Sequence, residues 1–331
     1  MATIGTTAFT WADWAKQIDP NGQTADIVDL LSQTNEILTD MLAVEGNLPT
    51  GHQSTVLTGY PTAYWRQLNQ GTPGSKDTNV QITDTCGMLH AWSQIDKDVA
   101  ELNGNTASFR LGRSRPFLAA MSQAMATAVF YGNQALNPEQ FNGLSPRYSL
   151  LSAGNGDNII DAGGTSTDNT SVWLFTWDEN TGHAIFPKGS KAGLVREDLG
   201  LETVYDTSVT PPTMMRAYRE HFQWRNGLAV PDWRYHVRIA NIDVSNLIAE
   251  SSQADLIKAM IRAMNKPPAT GIGKRVFYMN ATVYTMLMIQ ALNKSASAVT
   301  IAPAAQQFEL SFLGIPIRRV DALLNTETRV V

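Results

Sequence analysis

Between Trp233 and Ile239 the residues alternate strictly, with Trp233, Tyr235, Val237 and Ile239 at one parity and Arg234, His236 and Arg238 at the other. A period of two predicts a half-buried strand with its aromatic side inward and its basic side outward. A row of cationic side chains with no nucleophile or acid–base pair beside it is the chemistry of a contact surface. A second basic group, Arg110, Arg113 and Arg115, precedes or opens a predicted helix. Positive charge is disfavoured at a helix start, so these arginines are expected to answer acidic partners within this chain or in a neighbouring one.

Other chemistries are poorly supported. The five histidines (His52, His90, His183, His221, His236) show no i, i+4 pair with a glutamate between, as a zinc-protease helix requires. Cys86 and His90 stand at that spacing, but the flanking sequence reads as extended, and two ligands do not make a site. Gly71–Thr78 and Thr270–Arg275 look like phosphate-cradling loops but break the required spacing, and there is no Gly-x-Ser-x-Gly elbow. The acidic tract from Gly154 to Asp168 lacks the closing glutamate of a calcium loop and reads as surface loop. Paired carboxylates for glycoside cleavage are set by the fold and stay open. Eight tryptophans could stack on sugars, yet Trp173, Trp177 and Trp233 have the apolar neighbours of core residues. No aromatic and basic residues interleave as a nucleic-acid platform would need. No catalytic residue, cofactor or metal is therefore predicted.

The chain has 331 residues, 43% hydrophobic and 17% charged, with a formal net charge of −5. That is enough for one large domain or two to three modest ones. The negative balance argues against nucleic-acid binding through a bulk positive field. Cys86 is the one cysteine, so no disulfide can form within the chain, which suits a reducing cytoplasm. The N-terminus lacks the basic region and apolar core of a secretory signal. No apolar run approaches the roughly 18 residues of a membrane span.

The elements that must position these groups follow from periodicity. Asp26–Glu45 reads as a helix closed by Gly46. Residues 47–95 read as a long hairpin whose turn-dense tip is Asn69–Asn79 and which carries Tyr60, Tyr64, Trp65 and Trp92. An isolated hairpin is marginal in water, so its aromatics need a partner surface, either the body of this chain or a neighbouring chain. Arg115–Tyr131 is a predicted helix capped by Ser114, with Pro116 in its first turn. Residues 137–170 are loop-rich, and Ser171–Trp177 is a strand buried on both faces. Thr203–Tyr235 reads as turns and aromatics around a short amphipathic stretch at Met214–Trp224. Ser252 and Asp255 cap a helix through Met264. A strand follows at Arg275–Met279, a helix at Ala281–Asn293, and a bent strand or strand pair at Phe308–Val320. The class is α+β.

Several segments, in order, resemble the major capsid proteins of short-tailed double-stranded DNA bacteriophages, the Bordetella phage type in particular. They are RSRPFLAAMSQAMATAVFYGN (Arg113–Asn133), IFPKGSKAGLVREDLG (Ile185–Gly200), WRNGLAVPDWRYHVRIANID (Trp224–Asp243), VFYMNATVYTML (Val276–Leu287) and FLGIPIRRVDAL (Phe312–Leu323). The likeness covers most of the chain from about residue 105 onward. It implies the Hong Kong 97-like capsid fold: a peripheral domain with a long spine helix and a β-sheet, an axial domain, an extended β-hairpin loop and an N-terminal arm.

On this sequence the resemblance places the arm and its helix in 1–46, the extended loop in 47–95, the peripheral domain with the spine helix in 96–150, and the axial domain, with strands returning to the peripheral domain, in 151–331. It implies self-assembly into hexamers and pentamers of an icosahedral head around DNA that is not read by sequence. Further implied partners are a scaffolding protein, a portal protein and a cement or decoration protein, with assembly in the bacterial host cytoplasm and a final place in the virion. Some relatives weld subunits through a Lys–Asn isopeptide bond, and Lys76 lies at the loop tip, but non-covalent clamping is the expectation here. Tyr64, Trp65, Lys76, Trp92, Arg110, Arg113, Arg115, Arg234, His236 and Arg238 are the expected intersubunit contacts. The alternatives are an encapsulin-like nanocompartment shell, distinguished by its cargo, and a carbohydrate-active or sugar-binding protein, distinguished by a soluble glycan-binding monomer.

Overall fold

The computed structural model describes residues 33–102, 106–206, 213–249, 255–268, 272–293, 299–303 and 308–331. In chain order the elements begin with α1 (Ile37–Asp40), β1 (Ala43–Glu45), β2 (Gly51–Gly59), β3 (Thr78–Asp96), α2 (Lys97–Glu101), α3 (Thr106–Tyr131) and α4 (Leu144–Arg147). Next come β4 (Ile159–Asp161), β5 (Asn169–Trp177), β6 (His183–Phe186), β7 (Leu194–Asp206), β8 (Thr213–Ala229), β9 (Val237–Asp243) and α5 (Val244–Ile248). The chain closes with α6 (Leu256–Met264), β10 (Lys274–Met279), α7 (Ala281–Asn293), β11 (Val299–Pro303), β12 (Phe308–Phe312) and β13 (Ile315–Arg319). Two units result, one holding Met88–Met125 and Gly193–Arg225, the other Thr34–Gly87, Ala126–Ala192 and Asn226–Val331.

The larger unit is built on a seven-stranded sheet of order β11-β12-β13-β10-β5-β9-β4. Val172, Leu174, Val237, Ile239, Phe277 and Ile317 pack with Leu247 of α5, Leu256 and Met260 of α6, and Val283 and Leu287 of α7. Asp255 is itself the N-cap of α6, accepting from the Lys258 amide, and Ser252, expected to pair with it, lies outside the described residues. Every residue of β5 is buried, the state of a central strand covered on both faces.

In the smaller unit β7 and β8 form a long antiparallel hairpin, paired from Leu194↔Trp224 to Asp206↔Thr213 with a register shift between Asp198 and Gly200. Ile95, Val99, Ala100 and Phe109 make its small core, with Tyr218 of β8 packed against them. The predicted long hairpin is present as β2 and β3, paired from Gly51↔Thr85 to Gly59↔Thr78. Its tip is longer than predicted, because β2 ends at Gly59 and Tyr60, Tyr64 and Trp65 all lie beyond the arms.

Four expectations are corrected. The Asp26–Glu45 helix falls partly outside the described residues. Within them only Ile37–Asp40 is helical, and Ala43–Glu45 is a strand pairing in parallel with β6, a tertiary ladder overriding helical propensity. Helix α3 begins at Thr106, so Ser114 and Pro116 are interior and not at its start. Ser114 Oγ turns back to the Arg110 carbonyl, and residue 112, whose carbonyl a proline ring at 116 would crowd, is glycine. Met214–Trp224 is part of the seventeen-residue strand β8 and not a short stretch among turns. Trp233–Tyr235 is a 3-10 turn, nucleated by the Asp232 side chain accepting from the Arg234 amide, and the strand starts at Val237.

Gly227 lies at a close approach of strands in the six-stranded sheet. A Cβ there would stand 2.6 Å from the Thr85 carbonyl oxygen, 2.9 Å from Ile185 Cγ1 and 3.1 Å from Cys86 Cα. Backbone atoms cannot swing aside, so Gly227→Ala is expected to lower stability by roughly 1–3 kcal/mol. An unchanged denaturant midpoint would show that the strands can move apart at no cost.

Candidate assembly surfaces

The expected outward basic face of Trp233–Ile239 is not there. His236 is completely buried in the chain and Arg238 is 3% exposed, so neither is available to a neighbouring subunit. Polar residues at alternate positions ordinarily signal water, whereas here β9 lies between β5 and β4 inside the sheet and its polar groups are satisfied internally. Arg234 is exposed but closes on its own neighbour, Asp232, at 2.7 Å. Trp233, expected in the core, is partly exposed in its turn.

His236 is held as a neutral imidazole. Its ring stacks on Phe175 with centroids 4.0 Å apart. Nδ1 accepts from the Thr176 amide at 3.3 Å, which leaves Nε2–H to donate to the Thr181 carbonyl at 3.1 Å. A second proton would set an N–H against the Thr176 N–H. Burial, the largest cause, pushes the pKa from 6.5 down to about 4. Unfolded histidine takes up a proton near pH 6.5 and the folded one only near 4, so stability is intact above 6.5 and falls between these values. The loss is about 3 kcal/mol when complete. Comparing urea unfolding of the wild type and His236→Gln between pH 7 and about 4 isolates this term. Parallel pH profiles would mean that His236 carries none of it.

Arg238 reaches Glu327, a carboxylate far from it in the sequence. Its Nη2 lies 2.9 Å from Glu327 Oε2, its Nε donates to Ser171 Oγ at 3.0 Å and its Nη1 donates to the Tyr148 carbonyl at 2.8 Å. Tyr131 and Ser171 hydroxyls also donate to Glu327. Burial first, then the Glu327 charge, pushes the Tyr131 phenol well above its ordinary range. This is a cross-brace of the larger unit.

In the smaller unit Arg110 finds its acids in the same chain, Asp198 at 2.6 Å and Glu220 at 2.9 Å. Arg196 joins Glu220 at 2.7 Å. Burial alone would raise the Glu220 pKa, but hydrogen bonds from Arg196 and Ser114 and the charges of Arg196 and Arg110 outweigh it and hold the carboxyl below its usual range. Arg115 is exposed and Arg113 half-buried. Trp92 is half exposed, stacked on His221 with centroids 4.2 Å apart and topped by the Arg219 guanidinium at 4.8 Å.

Among the described residues the most exposed large apolar side chains lie on the hairpin tip. Trp65, Leu68 and Tyr60 are 103%, 94% and 83% exposed, and Tyr64 and Lys76 are exposed beside them. The tip is held in shape by polar bonds, Arg66 Nε to the Gln70 carbonyl at 2.6 Å and Ser75 Oγ to the Thr62 carbonyl at 2.8 Å. Its aromatics thus stand on an ordered loop without a core of their own. Isolated exposed apolar residues are ordinary, but several large ones on one loop make it a candidate interaction site.

Among the described residues there is no set of three or more His, Cys, Asp or Glu placed to hold a metal ion. No helix of the described residues is long and apolar enough to cross a membrane.

A family model described as Major capsid protein GP7 matches residues 19–331. A chain of the cryo-EM structure of bacteriophage Epsilon15 is 36% identical, with a TM-score of 0.79, and the match covers 100% of this chain and 99% of that one. The capsid of bacteriophage JBD30 aligns over 89% of this chain and 93% of its own at 9% identity and a TM-score of 0.46. No curated protein matches. The Epsilon15 likeness and the family model agree over nearly the whole length, and the mixed helix-and-sheet architecture is that of the Hong Kong 97-like phage capsid fold. The chain belongs to the major capsid protein GP7 family and is a structural protein of a phage capsid shell.

Proposed function

We propose that this chain self-assembles, without catalytic activity, into the hexamers and pentamers of the icosahedral head of a short-tailed phage, enclosing double-stranded DNA. One observation carries the reading: the ordered tip of the β2–β3 hairpin offers Tyr60, Trp65 and Leu68 almost entirely to solvent. Covering them with a neighbouring copy buries apolar area worth about 25 cal/mol per Å², and contacts that are weak one by one become strong in a closed shell. In this reading residues 47–95 are the extended loop, α3 is the spine helix of the peripheral domain within 96–150, and 151–331 form the axial domain with strands returning. Residues 1–46 are the arm.

Tyr64, Lys76, Trp92, Arg113 and Arg115 remain the proposed intersubunit contacts, whereas Arg110 and Arg234 are first engaged by acids of their own chain. Scaffolding, portal and cement proteins are the further proposed partners, with assembly in the bacterial host cytoplasm. The net charge of −5 fits a wall that encloses DNA without gripping it. Electron microscopy of the overexpressed protein, alone and with a scaffolding protein, tests the reading. Closed shells with five- and six-fold capsomers are expected, and a monodisperse monomer under both conditions would refute it.

A further inference from the structure

We infer that His90 and His221 form a clasp that holds β3 to β8 in the smaller unit while the two rings share one hydrogen, and that it opens when each ring carries its own charge. His90 lies on β3 and His221 on β8, strands that are neighbours in the six-stranded sheet. His90 Nδ1 and His221 Nε2 are 2.8 Å apart, a hydrogen-bond distance. A bond between two ring nitrogens has room for a single hydrogen, so one imidazole donates and the other accepts.

The proton count then decides the contact. Two neutral rings bond through one N–H and one lone pair. With one imidazolium the donor is charged and the bond is stronger. With two, both nitrogens are donors, and two N–H groups and two like charges face each other. The His221 side chain is 14% exposed, so these charges are poorly screened by water.

The charged neighbours support one cation in the pair and not two. Glu197 of β7 places Oε2 3.8 Å from His221 Nδ1, an ion pair whenever that ring is charged. The other acid of β7 on this face, Glu202, is already engaged by Arg219 at 3.0 Å. Arg219 lies over the Trp92 ring, and Arg225 of β8 adds a further positive charge near His90. Burial first, then the His221 ring and the Arg225 charge, hold the His90 pKa below its ordinary value of 6.5. Unfolded histidine takes up its proton near that value and His90 in the clasp only at lower pH. The clasp is therefore intact above about 6.5 and is lost as the pH falls below it.

Release matters because this part of β3 is held from one side. Its other neighbour, β2, pairs only with Thr78–Thr85 of β3, so the run from Met88 to Asp96 receives no ladder from it. That run leads directly into α2. Trp92, stacked on His221, is freed in the same event, and any contact that Trp92 makes with another copy becomes proton-dependent. This last consequence rests on the assembly reading, whereas the clasp does not.

The test is hydrogen-exchange mass spectrometry of the unassembled full-length chain at about pH 7.5 and about pH 5, corrected for intrinsic rates, with His90→Gln and His221→Gln alongside. In the wild type the amides of Met88–Asp96 are expected to lose about threefold to tenfold of their protection at the lower pH, the worth of one exposed hydrogen bond. In either variant only one ring of the pair can charge, and this acid response should disappear. His90 is exposed, so His90→Gln leaves the fold intact and also identifies the His90 signal in an NMR titration of the histidine rings. In that titration His221→Gln should move the His90 midpoint upward. The same acid response in the wild type and both variants, or a His90 midpoint unmoved by His221→Gln, would overturn the clasp.

Discussion

Replacing Arg238 with methionine is expected to destabilise the unassembled chain by about 3–5 kcal/mol, a large share of the stability of any single domain. The substitution keeps the volume of the stem and removes the cation that pairs with Glu327. Arg238 and Glu327 side chains are 3% and 5% exposed, so the stranded carboxylate has no route to water. Tyr131 and Ser171 would still donate to it, which offsets only part of the desolvation. The guanidinium also lies over the Trp173 ring at 5.1 Å, and that contact goes too. Removing both charges, as Arg238→Met with Glu327→Leu, is expected to recover most of the loss, because a buried pair contributes far less than the penalty of breaking it. Urea unfolding of the two variants reads this directly. A single variant as stable as the wild type would mean that Glu327 takes up a proton or finds water at little cost.

The second large effect concerns assembly alone. Trp65→Ala should leave the chain's own unfolding curve unchanged, since the side chain is fully exposed. It should raise the concentration at which shells form by about tenfold or more. Tryptophan anchors at protein interfaces often contribute 2 kcal/mol or more, and each 1.4 kcal/mol is about a factor of ten in an equilibrium constant. Every subunit of a shell would carry the loss. Light scattering against protein concentration measures it. Shell formation at the wild-type concentration would remove Trp65 from the interface.

How far the sequence foretold the molecule depended on whether neighbours along the chain or distant segments decide the local structure. The apolar stripes of α6 and α7 and the break at Gly314 between β12 and β13 are encoded within a few residues, and the structure has them where the pattern put them. The β2–β3 hairpin was also legible, because two extended runs flank a turn-rich span. Strand β8 was not. Its run Met214–Arg225 places Tyr218, Glu220 and Phe222 on one face, and Glu220 is buried beside Phe222 because Arg110 and Arg196 neutralise it. That pairing spans 110 residues of sequence and breaks the polar-out rule.

The same cause misplaced the basic strand. Arg238 faces inward because Glu327, 89 residues away, meets it there, and His236 faces inward because two backbone groups satisfy it. Alternation revealed the period of β9 and not which side met water. Of the contact candidates, Tyr64 and Trp65 are exposed, but on the loop beyond the arms and not on the arms where the sequence put them. The meeting of His90 and His221 could not be read at all, as it needs β3 and β8 brought together in space.

The central claim is that the hairpin tip becomes covered by another copy of the chain. A photo-reactive amino acid placed at Trp65 tests it most directly, with irradiation before and after assembly. Covalent dimers and higher ladders are predicted in the assembled sample only, with the attachment mapped to a neighbouring subunit. Shells that form normally yet give only cross-links within one chain, or none, would contradict the account.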